Sequence, residues 1–184
     1  MSKNNNSINN WIKGDFRTIT HQFTEDDVNT FSNLTGDNNP LHMDSNYAST
    51  TAAGGRVVHG MLAASFISTL VGVKIPGQGA LWNDFQINWR KMIRIGDSVK
   101  FTATISSVNK AIDTITLDIK GVGLYNDLLY LNGTAKVALM SKTTIKSPLN
   151  LTGKRILITG ATGILGSSIC QNLTNHGAKL ILWG

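Results

Sequence analysis

One short segment holds the residue types that acid–base chemistry needs. Residues 35–44 read TGDNNPLHMD and place Asp37 five positions before His42. Pro40 fixes its own φ angle and pushes Asn39 towards an extended conformation, so the segment is predicted to be a stiff polar loop. A stiff loop can hold a carboxylate and an imidazole towards one water molecule. The simpler interpretation is that Asp37 caps a turn and that His42 is a packed or solvated side chain.

A second candidate lies where a predicted helix begins, at residues 58–62 (VHGML). The first backbone N–H groups of a helix have no partner within it and lie at the positive end of its dipole. Gly60 has no side chain, so a ligand could approach this backbone closely. A carbonyl oxygen that gains negative charge during a reaction would be stabilised there. The alternative is that Gly60 only lets the chain enter a core helix.

The elements that must position these residues follow from hydrophobic periodicity. Residues 61–73 (MLAASFISTLVGV) are apolar on almost every side, which predicts a buried helix about 20 Å long. Four alternating stretches after it predict strands, at residues 85–89, 99–105, 115–119 and 129–137. The predicted fold class is therefore α+β, with a curved antiparallel sheet around a central helix.

The residues before that helix predict one more strand and two further helices. Residues 18–23 alternate as a strand does, and Thr24 with Asp27 forms a helix start that is like a capping box. Gly36 is expected to end this helix, and Asp44 is expected to cap a second, short one. The first residues are rich in Asn and Ser, so residues 1–15 are predicted to be disordered.

Composition and charge limit the class of protein. With 184 residues, 41% apolar and 15% charged, the sequence is typical of a globular protein, and its one cysteine excludes a disulfide framework. It has no apolar run as long as a membrane span and its polar start is unlike a signal peptide, so we expect a cytoplasmic protein. Residues 1–135 hold 11 basic and 11 acidic side chains, so the net charge of +6 lies after them and does not indicate nucleic-acid binding.

Together the two candidate segments resemble a known family. TGDNNPLHMD followed by GGRVVHGML is similar to the paired motif of the MaoC-like (R)-specific enoyl-CoA hydratases and dehydratases, and the resemblance covers about residues 16–140. It implies a hot-dog fold, in which an antiparallel sheet wraps a central helix, and a homodimer. It also implies hydration of a trans-2-enoyl thioester to a 3-hydroxyacyl thioester, or the reverse dehydration, on coenzyme A or acyl carrier protein.

The same resemblance implies roles for single residues. Asp37 and His42 would be the catalytic pair that holds and activates a water molecule, with the division of proton transfers between them left open. The Gly60 amide would receive the thioester carbonyl. Ser65 would support the site, although a small core serine bonded to its own backbone fits that position as well. Asn39 is expected to shape the loop, and neither a metal ligand set nor a cofactor is expected for this activity.

The last part of the chain carries a different motif. Residues 141–153 are polar and aperiodic and are predicted to be a linker. Residues 154–184 predict a strand, a glycine turn with Gly160, Gly163 and Gly166, a helix and a second strand. This pattern resembles the first βαβ unit of the short-chain dehydrogenases/reductases, a truncated Rossmann fragment whose glycines would bring a pyrophosphate to a helix start. It implies NAD(P) only for a full-length reductase domain, and no reductase activity is expected of the fragment.

Three function classes remain open from the sequence. The first is a hydro-lyase that acts on enoyl or 3-hydroxyacyl thioesters. The second is a non-catalytic hot-dog module that binds acyl thioesters. The third is a fragment of a bifunctional hydratase–reductase whose main activity is the NAD(P)-dependent reductase.

Overall fold

A computed structural model describes residues 7–140 and 149–183, which form two compact units on either side of residues 141–148. Most of the predicted linker thus lies outside the described residues. The prediction that residues 1–15 are disordered is wrong for residues 7–15, which the structure describes. Ile8–Asn10 forms a 3-10 helix, and the side chains of Ile8 and Trp11 are buried in the core of the first unit. Burial of these two large apolar side chains stabilises the segment despite its polar neighbours.

A five-stranded antiparallel sheet forms the body of the first unit. The order of its strands is β1-β3-β4-β5-β2. Four of the predicted stretches lie within observed strands, and the fifth overlaps β1, because an alternating apolar face marks a sheet with one buried side. The strands are β1 (Phe16–Gln22), β2 (Ala80–Trp89), β3 (Ser98–Asn109), β4 (Thr114–Gly123) and β5 (Leu129–Leu139).

The first α-helix, α1 (Glu25–Thr35), begins and ends as the sequence predicts. The Thr24 hydroxyl oxygen accepts a hydrogen bond from the Asp27 backbone N–H at 3.1 Å, and the Asp27 carboxylate accepts one from the Thr24 N–H at 2.7 Å. Gly36 follows with a φ of 78°, a left-handed conformation that glycine adopts without strain. This turn sets the direction in which the chain continues towards Asp37.

The predicted polar loop contains a helical turn that was not predicted. This turn is α2 (Pro40–Met43), and it begins at the proline because the fixed φ of proline suits the first helical position. The next helix, α3 (Ser45–Ser49), is capped as predicted by Asp44, whose carboxylate accepts from the Asn46 and Tyr47 N–H groups at 2.8 and 3.0 Å. The segment that holds the predicted site residues Asp37 and His42 thus contains two successive helix caps.

The central helix of the first unit is α4 (Gly60–Thr69), which continues into a π-helical turn over Leu70–Lys74. Its buried face packs into one core with residues of β3, β4 and β5. On the opposite face of α4, Met61, Ser65 and Ser68 are exposed. The prediction that this helix is buried on all sides is therefore wrong for that face. An apolar composition cannot distinguish a side chain packed in the core from one that faces an open groove.

The second unit is a small βαβ arrangement. Strands β6 (Arg155–Thr159) and β7 (Lys179–Trp183) pair in parallel, and α5 (Ile164–Asn175) connects them. The observed elements agree with the predicted strand, helix and strand, although α5 begins at Ile164, inside the predicted glycine turn. Within the residues that the structure describes in both units, no helix has the length and apolar character needed to cross a membrane.

Candidate active site

The segment between α1 and α3 is fixed by hydrogen bonds from its own side chains. The Asn39 side-chain oxygen accepts from the Leu41 N–H at 2.9 Å and so caps α2, which agrees with the expected loop-shaping role. The Asn38 side-chain oxygen accepts from the buried Ser32 hydroxyl at 2.6 Å, which ties the loop to α1. Asp37 lies between these anchors, and its exposed carboxylate accepts from the Asn39 N–H at 3.3 Å.

A backbone hydrogen bond fixes the orientation of the half-buried His42 ring. Its Nδ1 lies 2.8 Å from the carbonyl oxygen of Val57, and a carbonyl oxygen only accepts, so Nδ1 carries the proton. In the neutral ring the lone pair is then on Nε2, which is free to accept a proton. The backbone of Val57 is itself held in place, because its N–H donates to the Leu41 carbonyl at 3.3 Å.

A second histidine, His59, completes this cluster and was not predicted as a site residue. It is 1% exposed, and its Nε2 donates to the backbone carbonyl of Asp37 at 3.0 Å. Its ring lies against that of His42 in a tilted arrangement, with centroids 3.9 Å apart and planes inclined by 30°. Burial lowers the pKa of the His59 imidazole below its ordinary value, because the charged form would lose its hydration. The signal available in the sequence was its place directly before Gly60 at the helix start.

The reactive atoms of the three side chains are close together. A carboxylate oxygen of Asp37 and one ring nitrogen from each of His42 and His59 lie within 4.8 Å of one another. Two atoms that both bond one water molecule lie about 4.6 Å apart, so Asp37 and His42 can hold a single water molecule between them. The same three residues could be considered as metal ligands. Their ligand atoms are close enough to one another for that, and the expectation that this activity needs no metal ion stays a prediction.

Gly60 is the first residue of α4, as predicted, but the space beside its α-carbon is occupied. A methyl group added there would lie 2.8 Å from Nε1 of Trp89, so any side chain at this position requires the indole to move. The prediction that glycine is needed to admit a ligand is therefore incomplete. The Gly60 N–H is the first of the helix N–H groups that have no partner within the helix, so it can donate to an incoming acceptor.

An apolar groove of about 700 Å³ adjoins Asp37, one member of the predicted acid–base pair, by which we mean Asp37 and His42. Asp37 lies in its wall, and Ser65 faces it from α4. The Ser65 hydroxyl donates to the Leu62 carbonyl at 2.7 Å, so it can still accept a hydrogen bond but its donor is already used. The aromatic side chains of the wall were not predicted, because they come from α1 and β2, which are far apart in the sequence. The remaining lining residues are Phe31, Thr35, Met61, Ala64, Ser68, Trp82 and Phe85.

Comparison with known proteins identifies the family. The family model described as the MaoC like domain matches residues 7–124, which is more than half of the chain. The chain belongs to the MaoC-like family. Its predicted resemblance to this family, and with it the prediction of a hydro-lyase, is confirmed.

Two curated relatives of this MaoC-like chain have enzymatic names. An (R)-specific enoyl-CoA hydratase of Rhodospirillum rubrum is 35% identical over 96 residues, which are 52% of this chain and 67% of the relative. A 3-hydroxybutyryl-CoA dehydratase of Methylorubrum extorquens is 34% identical over 90 residues. These cover 49% of this chain and 57% of the relative, so the chain spans little more than half the length of that protein.

A solved structure confirms the fold of the MaoC-like unit. The (R)-hydratase from A. caviae involved in PHA biosynthesis superposes with a TM-score of 0.68 and is 29% identical. The match covers 71% of this chain and 98% of that protein. The predicted hot-dog fold, with an antiparallel sheet and a helix, is therefore confirmed for the first unit. The homodimer and the cytoplasmic location stay predictions from the sequence.

Proposed function

We propose that this MaoC-like chain catalyses (R)-specific hydration of trans-2-enoyl thioesters, or the reverse dehydration, in acyl-chain metabolism. The observation that carries the proposal is that Asp37 and His42 lie close enough together to share one water molecule, with Asp37 in the wall of an apolar groove. The groove suits an acyl chain, because its lining is mostly aliphatic and aromatic. The names of the relatives support the substrate class and the stereochemistry.

In the proposed reaction, the water molecule lies between the Asp37 carboxylate and Nε2 of His42. One member of the pair takes a proton from water as the oxygen bonds to C3 of the enoyl chain. The electrons of the double bond move towards the thioester carbonyl, and C2 then receives a proton from the acid form of the pair. One water molecule is added in all, and the reverse sequence is dehydration. Either member can be the base in this scheme.

The charge that develops on the thioester oxygen needs a stabilising partner. We assign this role to the Gly60 N–H at the first turn of α4, where the helix dipole adds to the hydrogen bond. Ser65 lies one turn further along and would accept a hydrogen bond from the bound water or substrate. The carrier is coenzyme A or acyl carrier protein, and both present the same thioester to the site.

The second unit is proposed separately to be the start of a short-chain dehydrogenase/reductase fold, in which the whole domain would bind NAD(P). Its glycine turn suits this assignment: Gly160 has a φ of 68°, and Gly163 precedes α5. A methyl group on Gly166 would lie 2.0 Å from the Gly160 carbonyl oxygen, so the helix and the turn can approach only with glycine there. These glycines would let a pyrophosphate lie against the helix start.

The direct test is the hydration of crotonyl-CoA by the purified full chain. Hydration removes the conjugated double bond, so we expect the enoyl absorbance to fall at a turnover of about 1 per second or faster. Chiral analysis of the product is expected to show the (R)-3-hydroxy isomer. Binding of crotonyl-CoA with no loss of absorbance would instead support a non-catalytic acyl-binding module.

A variant of the second unit tests whether the hydratase site depends on it. Gly166→Val forces a side chain against the Gly160 carbonyl and should disrupt the glycine turn. All proposed hydratase residues lie in the first unit, so kcat for crotonyl-CoA is expected to equal that of the unmodified chain. A matched Gly163→Val variant controls for the added bulk, because Gly163 has a φ of −74° and a Cβ there would lie 3.6 Å from the Gly160 carbonyl oxygen, an ordinary contact. Loss of hydration only in Gly166→Val would contradict the separation of functions.

A further inference from the structure

His59 contacts every part of the cluster that the proposed reaction uses. Its Nε2–H donates to the carbonyl oxygen of Asp37, and its ring contacts that of His42. It also contacts the ring of Phe31 from α1, with centroids 5.0 Å apart. Its backbone precedes Gly60, the first residue of α4. One buried side chain therefore joins α1, the acid–base segment and the proposed carbonyl donor.

The protonation state of His59 follows from its partners. The Asp37 carbonyl can only accept, so Nε2 of His59 carries a proton. Nδ1 is buried and has no hydrogen-bond partner among the described residues, so it holds a bare lone pair. A proton on Nδ1 would create a buried cation whose ring centre is 3.9 Å from that of His42. His59 is thus a neutral donor with one fixed tautomer.

We propose that His59 is a positioning residue. It holds Asp37 and His42 at a fixed distance and orientation relative to the Gly60 N–H. The proposal rests on the hydratase function proposed above. The Nε2–H bond fixes the backbone of Asp37, and the His59 ring, with its centroid 3.9 Å from that of His42, limits how far the His42 imidazole can move. Because water addition and carbonyl stabilisation must act on the same thioester, a shift between the two halves of the site slows the reaction.

His59 is expected to affect turnover more than binding. Its ring is buried beneath the acid–base segment and is not among the residues that line the acyl groove. A change of its side chain should therefore leave the contacts between the groove and the substrate in place. It should, however, alter the positions of Asp37 and His42 relative to the Gly60 N–H. Loss of a residue that only fills space would instead lower the stability of the fold without this selective effect on kcat.

Two substitutions separate the hydrogen bond from the packing. His59→Phe keeps a ring between Phe31 and His42 but has no donor for Asp37, so we expect kcat for crotonyl-CoA to fall about 100-fold with little change in KM. His59→Gln can present an amide N–H near the position of Nε2, and we expect it to retain about tenfold more activity than the Phe variant. Both are measured together with their thermal unfolding midpoints.

A matched control is available at His21 in β1. Its Nε2 also bonds a partner, Asp27 at 2.9 Å, and its ring also contacts an aromatic side chain, Phe66, with centroids 4.0 Å apart. His21→Phe is expected to leave kcat unchanged. If His21→Phe lowers kcat as much as His59→Phe, or if the Gln and Phe variants of His59 are equally impaired, the proposed positioning role is wrong.

The outcomes also separate this inference from the function on which it rests. An unmodified chain that does not hydrate crotonyl-CoA overturns the proposed function, and the positioning role with it. An active chain whose His59→Phe variant is folded and equally active overturns the positioning role alone. Selective loss of kcat in His59→Phe, with partial rescue in His59→Gln, supports both.

Discussion

Replacement of Asp37 by Asn is expected to lower kcat for hydration of crotonyl-CoA by about 1,000-fold, within the range for loss of an acid–base group. Asn has the same shape, and its side-chain oxygen can still accept the hydrogen bond from the Asn39 N–H. The backbone carbonyl that binds His59 is also unaffected by the substitution. The variant therefore keeps the loop and removes only the ability of residue 37 to take up and release a proton.

The matched control for this prediction is Asp44→Asn, seven residues further along the same segment. Asp44 caps α3 through two backbone N–H groups, and asparagine is an equally good capping residue. We expect kcat of this variant to equal that of the unmodified chain. If Asp37→Asn is also fully active, Asp37 only shapes the turn, as the simpler interpretation of the sequence has it.

Replacement of His42 by Asn is expected to reduce kcat by a similar factor of about 1,000. The amide of Asn can present an N–H near the position of Nδ1 and so keep the hydrogen bond to the Val57 carbonyl, which measures 2.8 Å with histidine. What it lacks is the basic nitrogen at the position of Nε2. Circular dichroism and the thermal midpoint should show that the variant is folded, so that the loss can be assigned to the missing base.

The double variant, Asp37→Asn with His42→Asn, tests whether the two residues act on one water molecule. If they act as a unit, the second substitution adds little, and kcat falls by about as much as in the more impaired single variant. Losses that multiply would mean that the two residues contribute independently. They would contradict a shared water molecule between groups that lie within 4.8 Å of each other.

Much of the fold could be predicted because its elements carry local signals. The alternation along β3 and the capping box of Thr24 and Asp27 depend on residues that are close in sequence, and the structure bears out both. The helical turn at Pro40–Met43 was missed because four residues are too few to show a period. Trp11 was missed because its burial depends on a core assembled from distant strands.

The site shows the same division between local and distant signals. Asp37, His42 and Gly60 could be singled out by their residue types and spacing. The role of His59 depends on a hydrogen bond to a residue 22 positions earlier, which no local pattern reveals. The open face of α4 was hidden for a different reason. Met61 and Ala64 are equally common in cores and in groove walls, so only the surrounding fold decides between the two.

The contact between Gly60 and Trp89 couples these two positions in the evolution of the sequence. A larger residue at position 60 meets the indole ring at 2.8 Å, whereas the same residue beside a smaller side chain at position 89 would not. The two positions are therefore coupled, and the order of substitutions matters. A smaller residue at position 89, or an indole that moves towards solvent, has to come first, so Gly60 is constrained by its neighbour as well as by its proposed chemistry.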